Sequence, residues 1–174
     1  VHGRAVIVGN GAEGEPLSRK DATLLTRAPH LVLDGLEAAA GAIGADKVYL
    51  YVHPEAAEAV TGALAERRAA GMDAHQVTVV QAPDRFVAGE ESAAISRIEG
   101  GPALPRDRTV VAAVSGVRGR PTLVNNVETL ANLPWLLRNG AEAYTAIGTA
   151  TSPGTHMVAV SGHVNRPGVY EIVN

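Results

Sequence analysis

Short runs of consecutive apolar residues alternate, through the first half of the chain, with stretches in which apolar positions recur every three or four residues. Ala5–Val8 runs straight into the glycine-rich loop Gly9–Pro16, while KVYLYV (Lys47–Val52) and QVTVVQ (Gln76–Gln81) are short, β-branched or aromatic, and bounded by turn residues. Such runs predict buried strands. Between them, Leu31, Leu33, Leu36 and Ala40 share a helical face that opens at Pro29 and stops at Gly44, and Ala57, Val60, Ala63 and Leu64 repeat it between Pro54 and Gly71. Ser18–Leu25 begins a further helix that Pro29 resets. Strand, helix, strand, helix, strand with short connections predicts an α/β architecture, a parallel sheet covered by helices, with ligands gathering where the strands end.

The rhythm then changes. FVAGEE (Phe86–Glu91) leads into a helix over Ser92–Ile98; taken alone, Glu90 and Glu91 are helix-start carboxylates favoured by the helix dipole. Gly100–Pro121 reads as a long ordered loop around the apolar patch Val110–Val114. Its Arg106, Arg108, Arg118 and Arg120 are either solvated or set against phosphates or acidic neighbours. Asn125 and Asn126 precede a helix through Leu130, Leu133, Trp135 and Leu137 that bends or restarts near Pro134 and ends at Asn139–Gly140. One asparagine suffices as N-cap, which leaves the other to read a hydrogen-bonding ring or hydroxyls. Thr155–Ser161 and Gly168–Val173 are strand-like, joined by GHVNRPG, and no longer alternate with helices. The expected boundary near Thr151–Gly154 divides the chain into 1–150 and 151–174, the second part being the first hairpin of a β-rich domain.

Composition narrows the function. With 46% hydrophobic residues the 174-residue chain is globular, and a formal charge of −3 disfavours nucleic acid and anionic membrane as partners. No apolar run reaches the roughly 18 residues of a membrane span, so direct membrane insertion is not expected, and Val1 opens without the pattern of a signal peptide. The absence of an initiator Met and an end inside an apolar run suggest an excised segment of a longer protein. Zero cysteines exclude disulfides, thiolate catalysis and any iron–sulfur cluster ligated within the chain. His2, His30, His53, His75, His156 and His163 share no ligand spacing and read as surface or helix-end residues, and no serine occupies a G-x-S-x-G elbow.

The loop after the first strand carries Gly9, Gly11 and Gly14 at the G-x-G-x-x-G spacing of a dinucleotide fingerprint. Its acidic content argues otherwise: Glu13 and Glu15 would repel phosphates, and Pro16 interrupts the helix that should begin inside the motif. A ribose, a ribityl chain or a nicotinamide ring suits it better. The plain alternative is a turn whose glycines only relieve backbone strain.

Four motifs, in order and spanning nearly the whole chain, carry a resemblance: NGAEGEP (Asn10–Pro16) with Lys20 and Asp21; AGEESA (Ala88–Ala93) with IEG (Ile98–Gly100); PTLVNNVETL (Pro121–Leu130); and SGHVNRPGVYE (Ser161–Glu171). Together they resemble the 51 kDa, F-type flavoprotein component of respiratory NADH dehydrogenase, complex I, and its relatives in NAD-linked hydrogenases and formate dehydrogenases. The resemblance implies a Rossmann-like domain that binds FMN and NADH, followed by the start of a soluble-ligand-binding β-grasp domain. It implies that Asn10, Gly89, Glu90, Asn125, Asn126 and Thr129 line the FMN, that Glu13, Glu15 and Glu91 form the acidic side that meets NADH, and that Phe86 is a further cofactor-binding position. No side chain is needed as acid, base or nucleophile, because hydride transfer belongs to the cofactors. It further implies electron-transfer partner subunits, a 4Fe-4S cluster only in a C-terminal part outside this chain, and a location in the cytoplasm or peripheral on the inner face of a membrane complex.

The chain departs from the pattern at Ala12, where the family has Asp and the form N-G-A-E-x-E-P is closer to the C-type component of the Rnf complex. It departs again at Phe86 and Ala88, where Tyr and Cys are usual. The family's upstream glycine-rich phosphate loop and downstream four-cysteine motif are not in this sequence, so the segment alone is expected to hold FMN weakly and to be an incomplete enzyme. Two alternatives stand beside this reading: a divergent scaffold or docking module of the same fold, and an ordinary NAD-linked dehydrogenase using the glycines as a true fingerprint.

Overall fold

A computed structural model of the protein describes residues 4–107 and 110–174. Four strands, β1 (Val6–Gly11), β2 (Lys47–Val52), β3 (Val77–Gln81) and β4 (Thr122–Asn126), form one parallel sheet in the order β3-β2-β1-β4. The helices are α1 (Lys20–Arg27), α2 (Pro29–Ile43), α3 (Pro54–Ala70), α4 (Glu91–Ile98), α5 (Ala112–Ser115), α6 (Val127–Asn139) and α7 (Ala141–Thr145). The α/β, Rossmann-like expectation is met. Helices α2 and α3 open on prolines, whose missing N–H costs nothing in a first turn, and close on Gly44 and Gly71 at φ +64° and +63°, a left-handed cap that glycine reaches without strain.

Each face of the sheet has its own core. Ile7, Val48, Leu50 and Val52 meet α1, α2, α3 and α6 through Leu25, Val32, Leu36, Val60, Val127 and Leu130. Val6, Val8 and Tyr51 face the opposite side, against Ala94 and Ile95 of α4 and, from the segment before β4, Ala112 and Val117. Tyr51 is fully buried and its hydroxyl has no hydrogen-bond partner among the described residues; burial pushes the phenol upward, against a pull from Arg97. A buried hydroxyl left unpaired costs about 1–3 kcal/mol. Tyr51→Phe is therefore expected to leave stability unchanged or to raise it by up to that amount, and a lowered thermal midpoint would contradict this account.

By its local pattern Thr122–Asn126 is the approach to a helix. It is instead the fourth strand, paired in parallel with β1 from Val6↔Thr122 to Asn10↔Asn126. The run is short, ends in two residues depleted from strands and follows a Gly/Pro/Arg-rich segment, so pairing with β1 decides its conformation where local propensity does not. The loop expected over Gly100–Pro121 contains α5 and a turn of 3-10 helix at Val117–Gly119. Two of its arginines meet acidic or carbonyl partners through their side chains: Arg106 binds Glu99, and Arg120 binds Asp46 and the Arg4 carbonyl, while among the described residues Arg118 gives only its backbone N–H, to Glu99. Arg108, like His2, lies outside the described residues.

Helix α6 runs unbroken through Pro134. A proline has no amide for the carbonyl four residues back, here Leu130. That carbonyl lies instead against Gly35 of α2, where a Cβ would come within 1.8 Å of its oxygen. After α7, β5 (Gly148–Thr149) and β6 (Ser152–Pro153) form a small ribbon, and β7 (Thr155–Val160) pairs antiparallel with β8 (Gly168–Val173) as a separate two-stranded sheet. Among the described residues no helix is long and apolar enough to cross a membrane.

Candidate functional site

In the order β3-β2-β1-β4, the connection leaving β1 goes to one side of the sheet and the strand on its other side arrives later, so the β1/β4 pair is the topological switch point. Ligands of open α/β sheets bind outside the carboxyl ends of the strands at this place. Asn10 and Asn126 face each other there in register, with Asn125 one residue before, opposite Gly9.

The segment after β3 is drawn onto the same rim. Asn10 Nδ2 donates to the Gly89 carbonyl at 2.9 Å, while its Oδ1 accepts from the Ala12 amide at 3.2 Å. Two glycines make the approach feasible: a Cβ on Gly89 would lie 2.3 Å from the Ala12 oxygen, and one on Gly14 would lie 2.5 Å from that of Phe86. Thus the clusters at Asn10–Glu15, Phe86–Glu91 and Asn125–Asn126, far apart in sequence, share one edge of the sheet.

Within this rim the polar side chains divide into engaged and unengaged groups. Glu13 is engaged: it accepts from the Ser18 hydroxyl and from the amides of Lys20 at 3.0 Å and Ala22 at 3.3 Å, closing the start of α1. Glu90 caps α4, accepting from the Ala93 amide at 3.0 Å and the Ser92 hydroxyl at 2.5 Å. Asn126 caps α6, accepting from the Glu128 amide at 2.9 Å. Asn125, partly accessible, makes no side-chain hydrogen bond among the described residues. Glu15, Glu91 and Thr129 are exposed, and Phe86 is 65% exposed. The helix α1 opens at Lys20, beyond all three glycines of the G-x-G-x-x-G pattern, so no helix start stands behind them to receive a pyrophosphate.

A cleft of about 380 Å³ adjoins the rim over the ends of β1, β2 and β3, lined among others by Glu13, Glu15, Arg19, His53, Asp84, Arg85 and Phe86. Arg19 is paired with Glu55 at 2.8 Å, and His53 Nε2 bonds the Glu13 carbonyl at 2.9 Å. Sequence reasoning missed His53 and Arg85 as lining residues, because only the register of β2 and β3 brings them beside β1. It noted Lys20 and Asp21 only as part of a motif. They form a pair at 2.6 Å beside Asn126, Asp21 buried and Lys20 half-buried: burial pushes the Asp21 carboxyl up against the opposing pull of Lys20, and Asp21 with Glu128 holds the Lys20 ammonium above its ordinary value despite burial. Among the described residues no group of His, Asp and Glu is arranged to hold a metal ion.

Residues 2–135 match the Nuo51 FMN-binding domain family, which covers every element that builds the rim. The chain belongs to that family. It is 37% identical to the F-type subunit of the NADH-quinone oxidoreductase of Salmonella typhimurium over 175 residues, spanning 94% of this chain and 39% of that protein. The corresponding oxidoreductase component of Aquifex aeolicus is 33% identical over 183 residues, 98% of this chain and 43% of that protein. Among solved structures, an NAD+-reducing [NiFe]-hydrogenase in the air-oxidized state superposes with a TM-score of 0.90 at 40% identity, over 98% of this chain and 30% of the hydrogenase chain. The chain thus spans well under half the length of these relatives. The resemblance read from the four motifs, and the Rossmann-like fold it implied, are both confirmed.

Proposed function

We propose that this chain forms the ring-binding rim of an NADH:acceptor oxidoreductase flavoprotein, holding the isoalloxazine of FMN over the β1/β4 switch point and the nicotinamide of NADH over the adjoining acidic cleft. One observation carries the reading: at the switch point the Asn125 side-chain amide makes no hydrogen bond among the described residues, while its neighbour Asn126 serves as the helix cap. A side-chain amide offers a donor and an acceptor side by side, the pattern that the polar edge of a flavin ring complements. The Asn10–Gly89 hydrogen bond and the close approach of Gly89 to Ala12 hold the loop after β3 onto the same rim, and Thr129 adds a hydroxyl on the first turn of α6.

The hydride chemistry would be supplied by FMN and NADH when bound. The residues of this chain orient and tune. Phe86 offers an exposed aromatic face for stacking, and Glu15 places a carboxylate in the cleft where a nicotinamide gains positive charge on oxidation, favouring that product, while Glu91 lines a neighbouring depression with Arg106. Electrons leave for iron–sulfur centres held elsewhere, since no cysteine of this chain can ligate one. Partner electron-transfer subunits belong to this reading, supported by relatives that are subunits of NADH-quinone oxidoreductases, and with them a cytoplasmic place, peripheral on the inner face of a membrane complex. The β7–β8 hairpin is the start of a β-grasp domain in the same reading.

Phosphate recognition is the weak point of the rim. The starts of α1, α4 and α6 are closed by Glu13, Glu90 and Asn126, two of them carboxylates that a phosphate would have to displace. The ring therefore carries the affinity, and flavin binding to this chain is weak. The test is an NMR titration of the ¹⁵N-labelled chain with FMN and, separately, riboflavin. Both are expected to shift the Asn125 side-chain amide and the Gly89 and Glu90 backbone amides to a similar extent, and Asn125→Ala to weaken both about tenfold, the worth of one hydrogen bond. No shift at the rim would leave the scaffold reading standing in its place.

A further inference from the structure

The hydrogen bonds around Asn126 close without remainder. Its Oδ1 accepts from the Glu128 amide at 2.9 Å and from Lys20 Nζ at 3.3 Å, and its Nδ2 donates to Asp21 Oδ2 at 2.7 Å and to the Asn10 carbonyl at 3.3 Å. A side-chain amide has two donors and two acceptor positions, so none remains for a ligand. Its orientation is set by Asp21, 2% exposed, which when ionised can only accept. Asn126 thus fixes the corner at which β4 becomes α6, and Asn125 is the residue that this corner presents.

The network extends away from the rim. Lys20 Nζ lies 2.6 Å from Asp21 Oδ1 and 3.0 Å from Glu128 Oε2. The other oxygen of Glu128 accepts the backbone N–H of Met157, in β7, at 2.6 Å. The Met157 side chain also packs on the main core, and Tyr144 lies against Gly154 at the entry to the hairpin. Lys20 and Glu128 are each less than a third exposed, so water screens their attraction little. A continuous path of hydrogen bonds therefore joins the two strand ends of the rim to the first strand of the hairpin.

We propose, on the reading that the rim binds the flavin ring, that Lys20 and Glu128 are positioning residues: they hold the β4–α6 corner that presents Asn125 and tie its geometry to the seating of the β7–β8 hairpin. Neither touches the ring. Coupling of this kind is reciprocal, so a ring bound at Asn125 favours the seated hairpin as much as the seated hairpin favours ring binding.

The experiment compares the full chain with Glu128→Ala, using FMN as probe and reading the Asn125 and Asn126 side-chain amides, the exchange rate of the Met157 N–H and the FMN affinity. In the parent chain FMN slows exchange at Met157. In Glu128→Ala that N–H exchanges faster, FMN no longer protects it, both asparagine amides shift, and the affinity falls about tenfold, within the usual range of coupling between sites. Lys20→Met reproduces the loss and Lys20→Arg restores most of it, which separates a charge-mediated hold from loss of side-chain volume. Should Glu128→Ala release the Met157 N–H while the asparagine amides and the FMN affinity stay unchanged, the coupling is refuted. Absence of any FMN response in the parent chain would refute the ring-binding reading instead; the ligand-free shifts of Asn125 and Asn126 in Glu128→Ala then decide the coupling alone. Glu128→Gln, which keeps an acceptor for Met157 but not the charge for Lys20, serves where the alanine variant folds poorly.

Discussion

Replacing Arg67 by alanine is expected to remove about 2–3 kcal/mol of stability, less than breaking a wholly buried ion pair from one side because Asp34 is 41% exposed and can rehydrate. Arg67 lies in the last turn of α3 with a side chain only 3% exposed, forked onto Asp73 through Nε at 2.8 Å and Nη2 at 2.7 Å and onto Asp34 through Nη1 at 2.7 Å. Asp73, and with it Asp34, holds the guanidinium above its ordinary pKa, against the effect of burial. Without it, Asp73 and Asp34 would face each other across a vacated space, with α2 and the turn after α3 losing their common anchor. A double variant, Arg67→Met with Asp73→Asn, removes both partners of the tighter pair and is expected to lose clearly less. Urea unfolding of the three chains checks this; an Arg67→Ala midpoint equal to that of the parent would show that the pair contributes nothing.

None of this was visible in the sequence, where Arg67 is one of two adjacent arginines on a helix of uniformly mixed composition. What was legible follows from local rules. β1, β2 and β3 announced themselves as short apolar runs, α2 and α3 as faces of period three to four between a proline and a glycine, and the left-handed caps at Gly44 and Gly71 fell where glycine was needed. β4 was not legible, because Thr122–Asn126 owes its conformation to a partner more than a hundred residues earlier. The site divides along the same line. Residue types that could build it stood out, and the shared rim brings them together.

Which of those side chains remain open to a ligand depends on partners that no spacing reveals. Glu13 turns to α1 because the loop returns Ser18, Lys20 and Ala22 to it, and Asn126 rather than Asn125 becomes the cap because β4 ends there in register with Asn10. That one asparagine would cap while its neighbour stayed free was legible in the sequence; which was which was not. The same logic recasts the acidic loop. Of its two carboxylates, Glu15 is exposed to the cleft, and Glu13 is already engaged by a helix start.

Two glycines of α2 give the second large expected effect, because they should respond to alanine with opposite signs. Gly41 has nothing within 4 Å of an added Cβ, so Gly41→Ala gains helix propensity alone and should stabilise the chain by roughly 0.5–1 kcal/mol. Gly35→Ala gains the same propensity but drives its Cβ to 1.8 Å from the Leu130 oxygen and 2.5 Å from the carbonyl carbon, both backbone atoms that cannot rotate away. Helices α2 and α6 must then separate, and overpacking of that kind should cost about 2–3 kcal/mol net. The damage reaches the rim as well, since α6 begins at the Asn126 cap and its displacement carries Asn125 with it. In urea the two midpoints should move apart, and the NMR signals of Asn125 and Asn126 should shift in Gly35→Ala only. Equal stability of the two variants would mean that the backbone contact between α2 and α6 is not what seats the helix carrying the rim.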